Sequence, residues 1–409
     1  MADLCYRIEE IPDLTLGKYA FLAKNGVDGV LEYHRSFLRQ WHKKSLISGC
    51  SVHLFYVYTK KERPGNKISI FLLIRGKSDS LENADMLIRG SVLAEYFRFQ
   101  FLFRTDDSGH LIASRVDKAK ADPKKYERER KAYEQSVALL TGNRYACCSA
   151  ITKEEHFFTG SDSSTYYNVP VWKENEEGRL YEMFRLMAAL NEDCIFRVDL
   201  IAERKNRTLR RALTSGPIPH LHELQSNTQG ERDYGADTVL RSYDDLLQAL
   251  DANPHFHADI FVFSNSTENG ALILSAAGTE AVAEGSFHIS SYNGQFDAFS
   301  FFYAEKQSYI DAVTDETNEY YLECDAGRVR IQSAAFRDSN KAPLGWLTTL
   351  YTVSEIAPFF CFPCLNDGET IEIRKETVAP LIDGENALFL GKDRNGYDIY
   401  FLGRQIFSR

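Results

Sequence analysis

Two runs constrain this chain most. Residues 51–59 (SVHLFYVYT) and 67–75 (KISIFLLIR) are almost wholly apolar, β-branched and aromatic, and the segment between them contains Pro64-Gly65-Asn66. Such runs bounded by Pro-Gly-Asn punctuation read as two strands of a hairpin. Around them, 27–45 carries Val30, Leu31, His34, Phe37, Leu38 and Trp41 near one helical face. Residues 81–96 read as a second helix and 97–104 as a further strand. The order helix, strand, strand, helix, strand suits an open sheet with helices on one face, an α+β layer.

The rest of the chain repeats this mixture. Residues 119–134 (AKADPKKYERERKAYE) mix both charge signs at helical spacing and read as a solvated helix or linker. Strands are expected at 144–152, 165–172, 194–203 (CIFRVDLIAE), 256–264 (FHADIFVFS) and 286–291. Helices are expected at 178–190, 237–252 and 268–283. The alternation from 194 to 291 reads as a ferredoxin-like split βαβ unit. Thr352 and Glu355 have the spacing of a capping box. Residues 387–392 and 397–402 flank Asp393-Arg394-Asn395-Gly396, a hairpin turn.

At 409 residues the chain is long enough for two or three domains. The expected divisions are an N-terminal α+β domain at 1–115, linker helix and strands at 116–190, a ferredoxin-like α+β domain at 191–340, and a last segment at 341–409. Overall the expectation is an α+β protein with mixed or antiparallel sheets covered by helices.

Composition narrows function. A 44% hydrophobic fraction supports sizeable cores, and a net charge of −10 argues against a protein that coats nucleic acid generally. The first twenty residues hold charges throughout and no apolar h-region. Prolines at 343, 358 and 363 interrupt the longest nearly uncharged stretch. A soluble, cytoplasmic chain without membrane insertion is expected, with its eight cysteines as reduced thiols.

No motif supplies catalysis. Gly76-Lys77-Ser78 looks like the tail of a phosphate loop, but Phe71 stands where its first glycine belongs. Cys361-Phe-Pro-Cys364 follows a predicted helix instead of opening one, so structural thiols are expected rather than a redox pair. His220-Leu-His222 and His255-Phe-His257 would each put two imidazoles on one face of an extended segment, with Asp259 extending the second pair. Both follow prolines at predicted loop ends, where exposed histidines are common. No catalytic, cofactor or metal residue is assigned. The candidate binding patch is Arg204, Lys205, Arg207, Arg210 and Arg211, five basic residues within eight. It would meet DNA, RNA or an acidic partner; the carboxylate-rich run 311–325 is one such surface if copies of the chain assemble.

Residues 347–363 contain Glu355-Ile356-Ala357 and Phe359-Phe360-Cys361-Phe362-Pro363. They resemble a segment of the HerA-like and conjugative type IV secretion ATPases of the HerA–FtsK superfamily, where such a stretch closes the N-terminal region. In those proteins a hairpin follows. Here Leu388-Phe389-Leu390-Gly391-Lys392-Asp393 and Gly396 to Phe401 are similar to it. The middle region resembles the family's α+β insert in element order. The resemblance implies a non-catalytic assembly or partner-docking region of a hexameric translocation ATPase. Its expected partners are a P-loop motor domain, in cis or in trans, further copies of the chain, and DNA. The alternative expectation is a stand-alone nucleic-acid-binding or phage-defence module using the basic patch.

Overall fold

The computed structural model describes all residues except 17–18, 63, 121, 160–164, 177–178, 204–209, 211–212, 215–216, 228–232, 301–319, 325–326, 332–346, 366–370, 376–386, 393–397, 403–404 and 409. The turn expected at 393–396 therefore lies outside the described residues.

The long apolar runs pair as expected. β2 (Ser51–Tyr58) and β3 (Ile68–Gly76) are antiparallel, with Tyr58 opposite Ile68, and Gly65 in the connection takes φ 79°. They lie at the middle of a ten-stranded sheet. Its remaining strands are β1 (Ala2–Ile8), β4 (Phe99–Thr105), β5 (Leu111–Ser114), β6 (Arg144–Lys153), β7 (Cys194–Glu203), β8 (His255–Ser264), β9 (Phe287–Asp297) and β10 (Leu350–Thr352). The order is β9-β6-β8-β7-β2-β3-β1-β4-β5, every neighbouring pair is antiparallel, and β10 pairs β8. The strands come from all four segments set apart by sequence, and the sheet runs continuously through those divisions.

β8 connects to β9 through the helix Thr267–Ala281, and β6 lies between the two strands, antiparallel to each. These strands form a split βαβ, but its middle strand β6 comes from the segment expected as a linker, and β7, expected within the unit, pairs directly with β8. β1 was not expected as a strand: Asp3 and Arg7 alternate with its apolar residues and mask the pattern. It nevertheless fills the lane between β3 and β4.

One sheet face packs Leu4, Tyr6, Leu54, Tyr56, Leu72, Phe196 and Phe256 under α1 (Ala20–Ser48). All six apolar-face positions read from sequence in this helix are buried, and Gly49 closes it in the left-handed conformation. α2 (Ser78–Arg89) and α3 (Leu93–Tyr96) break apart at Gly90-Ser91, where one helix was expected.

The opposite face is covered too. α4 (Pro123–Thr141), capped by Asp122, buries Ser136 and Leu140 there against a cluster containing Phe55, Phe71 and Phe263. It is thus a packed helix, not only a solvated one. α5 (Tyr181–Leu190) returns to the α1 side. α6 (Pro217–Asn227) and α7 (Tyr234–Ala252) form a third cluster with Leu347 and Leu350. The helix after β8, Thr267–Ala281, is α8, and Val353–Ile356 is α9. Two short hairpins, His156–Thr159 with Thr165–Asn168 and Tyr320–Cys324 with Gly327–Ile331, lie outside the large sheet.

Candidate functional site

Two buried polar networks and one open cleft hold the chemistry. The first network crosses the α4 side of the sheet. β2, β7 and β8 align His53, Asp199 and Asp259 in register, so their side chains share one face. Arg197, two residues before Asp199, joins the same face and has no exposed surface. Its Nε and Nη2 donate to the two oxygens of Asp199 at 2.7 Å each, and its Nη1 donates to the Ala298 carbonyl at 2.6 Å. This forked, doubly bonded pair is a charge-assisted contact of fixed geometry.

His53 Nδ1 lies 2.6 Å from Asp199 Oδ1, and its Nε2 lies 2.8 Å from the Ser51 hydroxyl. Nδ1 donates to the carboxylate and Nε2 accepts from the hydroxyl, so the neutral ring satisfies both partners. Burial pushes the His53 pKa down to about 4, against the pull of Asp199. Further along the face, His257 Nε2 is 3.5 Å from Glu203. The network is shut from solvent. Its histidine, arginine and carboxylate side chains are all buried.

The second network lies on the α1 side, where β10 continues the lane of β6. Ile151 faces Ile260 and Leu350 faces His257, so two distant segments line up along β8. At their junction Lys153 is ion-paired with Glu355. The Glu355 carboxylate also accepts the Trp172 backbone N–H at 2.8 Å and the Thr352 backbone N–H at 2.7 Å. The Lys153 ammonium sits 5.0 Å from the Tyr351 ring centroid. The capping box read from sequence is present, and its glutamate has this second role. Burial lowers the Lys153 pKa, and Glu355 opposes that shift.

The open feature is at the far edge of the sheet. β5 covers β4 only from Phe103 to Thr105. Beside the remaining half of β4 is a cleft of about 440 Å³. Tyr6, Phe99 and Phe101 line it, with Tyr6 set edge-on to both phenylalanines at 6.2 and 6.3 Å. Arg89, Arg98, Arg115 and Lys125 surround these rings, against the two carboxylates of Glu9 and Glu129. Arg115 is held by Glu129, Gln100 and Glu9. Arg98 is 70% exposed and 3.4 Å from Glu9. The Tyr6 hydroxyl is buried and has no hydrogen-bond partner among the described residues.

The residues singled out in the sequence are dispersed. Of the basic patch, Arg204, Lys205, Arg207 and Arg211 lie outside the described residues. Arg210 is exposed and ion-paired with Asp251. His255 and His257 do share one strand face, as expected, but both are buried and not at an exposed loop end. His220 and His222 lie on α6, where a two-residue spacing separates them around the helix; they approach Glu223 and Gln225 respectively. Among the described residues no group of three or more His, Cys, Asp or Glu side chains is arranged to hold a metal ion.

Cys361 and Cys364 are buried free thiols. Burial raises the Cys361 pKa, and its sulfur is 3.7 Å from His34 Nδ1. Lys77 occupies the N-cap position of α2 directly after β3, so Gly76-Lys77-Ser78 forms a strand-to-helix junction. No described helix is long and apolar enough to cross a membrane.

The cleft carried no signal in the sequence. Its residues come from β1, α2, β4 and the segments around α4, and no spacing unites them. No protein-family model matches the chain, and no curated protein matches it either.

Proposed function

We infer that the chain is a non-catalytic assembly or partner-docking region of a HerA-like translocation ATPase. It acts in the cytoplasm beside a P-loop motor domain supplied in cis or in trans, in a ring of copies that handles DNA or a secreted substrate. The observation that carries this reading is the position of the segment with the family resemblance. Glu355 bonds to Lys153, Trp172 and Thr352, and Phe359, Phe360 and Phe362 enter the core beneath α1. A segment that closes an N-terminal region needs to be built into its core in this way. The strands Ala387–Lys392 and Asp398–Leu402 then pair antiparallel, in the order the resemblance implies.

The test is native mass spectrometry of the protein isolated from its own cells. The expected result is either a polypeptide heavier than 46.7 kDa that continues into a P-loop ATPase, or a stoichiometric complex with one. A 46.7 kDa species with no ATPase bound overturns the reading. So does ATP hydrolysis by the purified 409-residue chain that survives repeated purification.

A further inference from the structure

We propose that the cleft beside β4 is a binding site for a mononucleotide, a planar aromatic ring carrying one phosphate. The chain is acidic overall, with a net charge of −10, yet four cationic side chains line this cleft against Glu9 and Glu129, with Asp85 bonded to Arg89. The remaining positive excess, carried mainly by the exposed Arg98 and Lys125, favours one phosphate group, which carries about −1.5 to −2 at neutral pH. A triphosphate would bring further negative charge against Glu9 and Glu129.

The aromatic lining supplies the other half of the recognition. Phe99 and Phe101 are half-buried, so part of each ring remains available to a base. Arg98, largely exposed at the mouth, presents a planar guanidinium that stacks on a ring or forks onto a phosphate. The bonds of Arg115 to Glu129 and Gln100 fix its side chain before any ligand arrives, which reduces the ordering cost of binding.

The Tyr6 hydroxyl is the most informative group. It is buried in a residue that is 1% exposed, and a buried hydroxyl without a partner is costly. The Tyr6 ring borders the cleft beside Phe99 and Phe101, and a bound base that displaces it brings the hydroxyl to a ligand hydroxyl or ring nitrogen. The cleft volume falls within the ordinary range for small-molecule sites. The site uses no phosphate loop and none of the 204–211 patch, and it stands independently of the ATPase-region reading.

The experiment is calorimetric titration of the full chain with magnesium-free AMP, in low and physiological salt. Adenosine, inorganic phosphate and a ten-nucleotide single strand are titrated separately. AMP is expected to bind at one site, with adenosine and phosphate each at least tenfold weaker. The double variant Arg98→Glu/Lys125→Glu, at two exposed positions, is expected to weaken AMP at least tenfold. Tyr6→Phe is expected to weaken it severalfold while raising, not lowering, the thermal melt of the free chain. No binding of AMP, equal binding of phosphate alone, or unchanged affinity in the double variant overturns the proposal. A strand that binds while AMP does not overturns it too, because the source is then nucleic acid and not a free nucleotide.

Discussion

Lys153 and Glu355 form an ion pair whose side chains are 2% and 1% exposed, at the point where β10 takes over the lane of β6. Removing one partner leaves the other charged and buried. Glu355→Gln is expected to cost about 3–5 kcal/mol, a large share of a typical domain's stability. The double replacement Lys153→Met/Glu355→Leu removes both charges and is expected to recover part of that loss. Urea unfolding of the three proteins measures both; a loss below about 1 kcal/mol for Glu355→Gln alone contradicts the account.

Acid is expected to weaken the fold through two buried histidines. His34 Nδ1 donates to the Val30 carbonyl at 2.8 Å, and its Nε2 accepts the Phe362 backbone N–H at 2.9 Å. Adding a proton at Nε2 would set N–H against N–H. Burial brings the pKa of His34, like that of His53, down to about 4 from 6.5. The unfolded chain therefore takes up these protons first as the pH falls. The stability from these histidines is intact above about pH 6.5 and is lost between there and about pH 4, on the order of 3 kcal/mol for each. A urea midpoint that stays flat across this window rules the effect out. His34→Gln, which removes one titrating group, should flatten the slope.

Two glycines let α8 lie close to the sheet. A Cβ at Gly270 would stand 2.6 Å from the Ser149 hydroxyl oxygen, and one at Gly278 would stand 2.8 Å from both Ile151 and Phe287. Gly278→Val is expected to destabilise by about 1–3 kcal/mol through overpacking. An exposed control, Glu268→Ala, is expected to change stability by under about 0.5 kcal/mol. Thermal melts of the two variants decide it.

The Thr352 hydroxyl accepts the Glu355 backbone N–H at 3.3 Å. Thr352→Ala is expected to cost about 1 kcal/mol, and Thr352→Ser to restore most of it. Equal denaturation midpoints for Ala and Ser would remove the cap from the account.

Much of the fold could be read from local pattern. β2, β3 and β7 announce themselves through unbroken apolar runs, and α1 through its buried face, because period and apolarity are local properties. β1 was missed because Asp3 and Arg7 sit on a sheet face that looked solvated, whereas Arg75 and the Ser69 and Ser136 hydroxyls engage them there. The second role of Glu355 was legible only as a cap: its contact with Lys153 depends on which strands share a lane. The cleft was invisible for the same reason, since Tyr6, Phe99 and Lys125 meet only after the sheet is ordered.

The shared lane also sets a timetable. Phe359, Phe360 and Phe362 fill the space beneath α1, so that helix waits for partners made roughly 300 residues later. At about 5–20 residues per second of synthesis, the apolar face of α1 stays without its final cover for some tens of seconds. Closing so long a loop makes these contacts late and slow to find. The nascent chain thus presents sticky surface to chaperones long before its sheet is complete.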